Sequence, residues 1–157
     1  MLIVADTSAL LALASCDSLT FLDLLFEEVR VPQAVFEECT VPGKPQAERL
    51  EGYLRNKVAD VDLASLVIAA AGLGQGELEA MALYKKLAAD RLLLDDHRAR
   101  KVARLNGIEI VGSVGVLLLA RERALIPSIR PRLEEIRAAG IHLGPEIFSE
   151  ALRLAGE

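Results

Sequence analysis

Four consecutive apolar residues, Leu2 to Ala5, run straight into Asp6-Thr7-Ser8 and then into a stretch of helical character, Ala9 to Ser15. A short unbroken apolar run reads as a buried strand, and strand, polar turn, helix is how a βαβ unit opens. The pattern recurs. A helix is expected over Leu19–Phe26, a short strand at Val29–Val31, and a helix from Pro32 to about Cys39, with proline at its favoured first turn. Val41-Pro-Gly-Lys-Pro45 is a break. Helices near Gln46–Lys57 and Leu63–Ala71 follow, then a glycine-rich break at Gly72–Gly76 and a strong helix over Glu77–Ala89. Leu92–Leu94 is a second buried strand, ended by Asp95-Asp96. His97–Leu105 is amphipathic, with Ala99, Val102 and Ala103 inward; Asn106-Gly107 closes it, and Ile108–Val111 is a strand. Helices are expected over Val114–Leu125, Pro127–Ala138 and Pro145–Leu154. Apolar strands alternating with helices predict an α/β fold with a mostly parallel sheet covered on both faces.

The chain has 157 residues, 52% of them hydrophobic, enough for one domain with a full core. Four Phe, two Tyr and no Trp leave little for a platform that stacks bases. No basic leader precedes the first strand, and Ile110–Ala120 is too short and too interrupted by glycine to span a membrane. Cys16 and Cys39 have neither paired spacing nor a histidine partner, so they read as reduced thiols of a cytoplasmic protein. The net charge of −5 is unevenly spread: residues 1–80 hold 5 basic and 13 acidic side chains, residues 81–157 hold 13 and 10. Such asymmetry fits an acidic pocket beside a basic wall, or ordinary surface decoration.

Candidate chemistry lies at the strand ends. Asp6 and the pair Asp95-Asp96 each end an apolar strand, and ligands of open parallel sheets bind beyond the carboxyl ends of the strands. Each Asp also suits the N-cap of the next helix. Glu77 opens a helix, where the macrodipole favours an acid, yet it shares a face with Ala80, Met81 and Tyr84. Glu38 follows Ala34 and Val35 at helical spacing and is the more inward of Glu37 and Glu38. Two carboxylates about 6 Å apart repel by roughly 3 kcal/mol at an effective dielectric near 20. Four together would rival the stability of a whole domain, about 5–15 kcal/mol. Convergent acids must therefore share protons or hold a divalent cation. Oxygen ligands without a His or Cys cluster favour Mg²⁺ or Mn²⁺, and such a site suits phosphodiester hydrolysis. Arg100, Lys101 and Arg104, with Arg98 at the margin, form a basic strip that is either a phosphate contact or a solvated helix face.

These positions resemble the PIN-domain nucleases, and most of all the prokaryotic subgroup related to VapC-type toxins. The resemblance is carried by Val4-Ala-Asp-Thr-Ser-Ala-Leu10, Val31-Pro-Gln-Ala-Val-Phe-Glu-Glu38, Gly74-Gln-Gly-Glu77, Leu92-Leu-Leu-Asp-Asp96 with Ala99-Arg100, and Gly112-Ser-Val-Gly115. They occur in this order over about residues 2–120; Leu125-Ile-Pro-Ser-Ile129 and the helices after it resemble the subgroup too. The resemblance implies a three-layer α/β/α PIN-like fold in one domain, residues 1–157, with a core over about 2–120 and a helical extension over about 121–157. It implies a Mg²⁺- or Mn²⁺-dependent endoribonuclease acting on RNA, often a homodimer and often paired with a small antitoxin. By position, Asp6, Glu38, Glu77 and Asp96 become the acidic ligands and Asp95 a fifth acid. Ser113, Thr7 and Ser8 become supporting hydroxyls, and Arg98, Arg100, Lys101 and Arg104 the RNA contacts. The chain departs from the commoner family residues at Leu94, Ser113 and Glu77.

Two phosphotransfer folds fit less well. A haloacid-dehalogenase-type phosphatase wants a second Asp where Ser8 stands, and a receiver domain wants an acidic pair where there is one Asp. A non-catalytic PIN-like module that binds RNA or protein, and a housekeeping RNA-processing nuclease, are the remaining alternatives.

Overall fold

Strands buried on both faces carry unbroken apolar runs rather than alternation, and the centre of the sheet is built from such runs. In the computed structural model, which describes residues 1–63 and 72–157, β1 (Leu2–Ala5), β2 (Glu28–Arg30), β3 (Arg91–Leu93) and β4 (Ile110–Val111) form one sheet. Its order is β2-β1-β3-β4, and every pair is parallel. Ile3, Val4, Ala5, Leu92 and Leu93 are wholly buried. Among the described residues the helices are α1 (Thr7–Ser15), α2 (Thr20–Leu25), α3 (Gln33–Cys39), α4 (Ala47–Leu54), α5 (Gln75–Lys86), α6 (His97–Leu105), α7 (Ser113–Glu122), α8 (Arg130–Ala138) and α9 (Pro145–Ala155). The sheet and the helices covering it make a three-layer α/β/α fold. The helix expected over Leu63–Ala71 lies, beyond its first residue, outside the described residues.

Topology decides where a site can form. From β1 the chain passes through α1 and α2 to β2 on one side, then through α3, α4 and α5 to β3 on the other side of β1. The order reverses between β1 and β3, the switch point where a crevice opens beyond the carboxyl ends. Val4 pairs with Leu92 and Ala5 with Leu93, and the Asp6 amide donates to the Leu93 carbonyl at 2.9 Å. Asp6 thus emerges at the reversal itself.

The boundaries moved for local reasons. α1 begins at Thr7, two residues before its apolar stretch, because Asp6 is extended (φ −101°, ψ 162°) and takes the N-cap place. Gly74, also extended, starts α5 at Gln75. α8 begins at Arg130, where the Glu157 carboxylate accepts from the Ser128 hydroxyl and the Ile129 amide, at 2.6 and 2.7 Å. Leu133 and Ile136 of α8 and Ala151 and Leu152 of α9 join the same buried cluster as the strands. Among the described residues no helix is long and apolar enough to cross a membrane.

Candidate active site

Asp6 is 2% exposed, although an isolated buried carboxylate is one of the costliest groups a fold can hold. It stands at an N-cap position but makes no side-chain cap hydrogen bond. The Ser8 hydroxyl approaches Oδ2 at a marginal 3.5 Å, and Oδ1 is buried with no partner among the described residues. Burial pushes its pKa up to about 7; the Thr7 and Ser8 amides pull it down, and the charges of Glu77 and Glu38 push it up again. Acids from two other elements therefore act on Asp6 after β1: Glu38 on α3 and Glu77 on α5.

Glu38 is held from two sides. The Thr7 hydroxyl donates to Oε2 at 2.6 Å, and the Gly76 amide donates to Oε1 at 3.1 Å. Glu38, expected to be the more inward of the pair, is exposed as Glu37 is, but it points between α1 and α5, whereas Glu37 stays on its own helix, accepting from Gln33. A Cβ on Gly76 would lie 2.6 Å from both Glu38 oxygens, so only glycine admits this approach. Glu77 reaches back to accept from the Gly74 amide at 3.0 Å. It is a first-turn acid and a neighbour of Asp6 at once.

Asp95 and Asp96 stand differently. The Ser113 amide and hydroxyl both donate to the Asp95 carboxylate, at 2.7 and 2.6 Å, tying the end of β3 to the start of α7. Ser113 is 3% exposed, so the hydroxyl placed near the site serves Asp95. Asp96 is exposed and N-caps α6, accepting from the Ala99 amide at 2.8 Å. Neither acts on Asp6 among the causes that set its pKa. The switch point thus gathers Asp6, Glu38 and Glu77, with Thr7 and Ser8, while at the end of β3 Asp95 is tied to Ser113 and Asp96 to its own helix.

The basic strip also divides. Arg98, Lys101 and Arg104 are exposed and have no acidic partner among the described residues. Arg98 lies over Gly72, whose φ of +81° and missing Cβ leave room for its guanidinium. Arg100 is not on the outer face with them: it is half-buried, and its Nη1 donates to the Leu94 carbonyl at 3.3 Å. It fits there because a Cβ on Gly112 would lie 2.8 Å from Nη1. His97 is exposed.

Sequence reasoning missed the place of Cys39 beside the site and the packing roles of Gly76 and Gly112. The glycines stand in the motifs that carry the resemblance, but nothing in their spacing says that Glu38 and Arg100 need the room of a missing Cβ. Cys39 is buried, its thiol driven up to about 12 by burial, with Asp6 and Glu38 adding to the rise against the Thr7 hydroxyl. Both cysteines are free.

Among the described residues no set of three His, Cys, Asp or Glu side chains is gathered tightly enough to hold a metal ion as it stands. The unpartnered, buried Oδ1 of Asp6 beside two further carboxylates is nonetheless a donor set of hard oxygens, which fits Mg²⁺ or Mn²⁺. A family model described as PIN domain matches residues 2–157. No curated protein and no solved structure matches the chain.

Proposed function

The chain belongs to the PIN-domain family, whose members are generally metal-dependent nucleases, and from that premise we propose that it is a Mg²⁺- or Mn²⁺-dependent endoribonuclease centred on Asp6. One observation carries the reading: a buried carboxylate at the topological switch point, with an oxygen that has no partner among the described residues and a pKa pushed up to about 7 by burial, with Glu77 and Glu38 adding to the rise. A fold keeps so costly a group where it has a use for it.

Asp6, Glu38 and Glu77 would hold the cation. Asp96 would complete the set with the oxygen its cap does not use, and Asp95 would hold the β3 end in register through Ser113. The metal, when bound, neutralises phosphate charge and lowers the pKa of the attacking water. The residues do the rest. Asp6 gives up its proton to accept the cation, and its burial keeps bulk water from competing. Thr7 and Gly76 fix both oxygens of Glu38, and a carboxylate with two such bonds still has lone pairs for a ligand. Arg98, Lys101 and Arg104 are free to contact RNA phosphates, while Arg100 steadies the β3 end.

RNA cleavage by the purified protein tests the reading: activity is expected with Mn²⁺, none with EDTA, and none from Asp6→Asn in Mn²⁺. Equal cleavage by the variant would defeat it. The lack of a ready three-ligand group among the described residues favours the second reading, a PIN-like module that binds RNA without cutting it. That reading expects RNA binding that is indifferent to Mn²⁺. A toxin role, a small antitoxin partner and a homodimer belong to the same proposal. A neighbouring antitoxin gene and the mass of the purified protein in solution check them.

A further inference from the structure

α3 and α5, which carry Glu38 and Glu77, begin without caps of their own. The N-cap residues are Pro32 and Gly74, and neither has a side chain that can accept from the first-turn amides. Unmet amides at a helix start are costly, and here each helix supplies the other. Glu38, near the end of α3, accepts from the Gly76 amide in the first turn of α5 at 3.1 Å. Glu79, in the second turn of α5, accepts from the Ala34 amide in the first turn of α3 at 3.3 Å. The two contacts run in opposite order along the two helices, so together they fix both slide and tilt. Gln75 steadies the second one: its Nε2 donates to the other Glu79 oxygen at 2.6 Å. One half of this strap is a proposed metal ligand. The other half has no role so far.

We propose that Glu79 is a positioning residue for the acidic centre: by capping α3 from α5 it fixes how α3 sits on α5, and so the direction from which Glu38 approaches Asp6 and Glu77. The inference rests on the ribonuclease reading above. It differs from a plain capping role, because loss of a plain cap would lower stability and leave the centre unchanged. It differs from a ligand role as well, because what matters is an acceptor oxygen and not a charge. Glutamine keeps that acceptor, and alanine does not.

Two measurements on full-length wild type, Glu79→Ala and Glu79→Gln test it. The first is Mn²⁺ affinity by calorimetry. E79A is expected to lose about tenfold, the scale of losing an outer partner of a metal ligand, and E79Q to stay within about twofold of wild type. The second is amide hydrogen exchange of metal-free protein at Gly76, the far end of the strap, which reports local opening. Exchange there should quicken in E79A and return to the wild-type rate in E79Q. An E79A protein with a lower melting temperature but wild-type Mn²⁺ affinity and wild-type Gly76 exchange would overturn the proposal. So would E79Q as impaired as E79A, which would mark the charge as the essential property. If E79A folds poorly, Gln75→Ala, which only removes the support of Glu79, should move both readouts the same way by a smaller factor; no movement counts against the strap. Wild type that binds no Mn²⁺ at all sinks the ribonuclease reading, and the exchange comparison still decides whether Glu79 governs the fit of α3 on α5.

Discussion

Two neighbouring strands of one sheet, β1 and β3, end in aspartate, and their surroundings are opposite. At the end of β3 every acid has structural work: Asp95 takes two hydrogen bonds from Ser113, and Asp96 caps α6. At the end of β1, Asp6 is buried, uncapped and faced by two more acids. The same local signature, an acid after an apolar run, thus yields one settled joint and one loaded centre. The difference lies in what arrives from elsewhere. β3 receives donors from α7, whereas β1 receives carboxylates from α3 and α5.

The largest effect expected from breaking this contrast is at Asp6. Its pKa is raised from 3.8 to about 7 in the folded protein, so the folded state binds the proton more tightly than the unfolded chain does. Stability is therefore highest below about pH 4 for this group alone and is lost as pH rises toward 7, by about 4 kcal/mol as an order of magnitude. Metal-free Asp6→Asn should melt about 8–16 °C above wild type at pH 7, with the gap closing near pH 4. Thermal unfolding across that range checks it; a variant that melts lower at pH 7 would show Asp6 to be satisfied after all.

A smaller effect is expected from crowding the loaded end. Gly76→Ala places a Cβ 2.6 Å from the Glu38 oxygens. It should push Glu38 off the Gly76 amide and cut Mn²⁺-dependent cleavage by about tenfold, with the fold retained by circular dichroism. Asp96→Asn sharpens the contrast from the other side. Asparagine caps as well as aspartate, so the melting temperature should hold within a degree or so while cleavage drops by less than for G76A. A fall as deep as that of D6N would make Asp96 as essential a ligand as Asp6, and no fall at all would remove it from the set. Ser113→Ala is expected to matter least to chemistry: it removes one hydrogen bond to Asp95, costs about 1 kcal/mol in chemical denaturation, and should leave cleavage near wild type.

The central strands were legible because β1 and most of β3 are unbroken apolar runs, and Leu2–Ala5 was placed to the residue; the edge strand β2, Glu28-Val29-Arg30, was placed one residue late because only Val29 is buried. The starts of α6 and α9 were placed to the residue; those of α1, α5 and α8 were not, because Asp6, Gly74 and the Glu157 carboxylate set them through backbone conformation or distant capping. Within the candidate site, Asp6, Glu38 and Glu77 could be named from strand ends, helix faces and the family resemblance. What periodicity cannot carry is which acid finds a partner. The Thr7 bond to Glu38 and the Ser113 bonds to Asp95 join residues 31 and 18 positions apart. Arg100 shows the same limit: its helix face looked solvated, but the missing Cβ of Gly112 lets the side chain fold back onto β3.

Mn²⁺ titration of wild type and Asp6→Asn side by side, at neutral pH and by calorimetry, goes most directly to the claim that the end of β1 is a cation site. Saturable binding by the wild type and none by the variant is the expected result. Equal binding by the two proteins, or none by either, would contradict it.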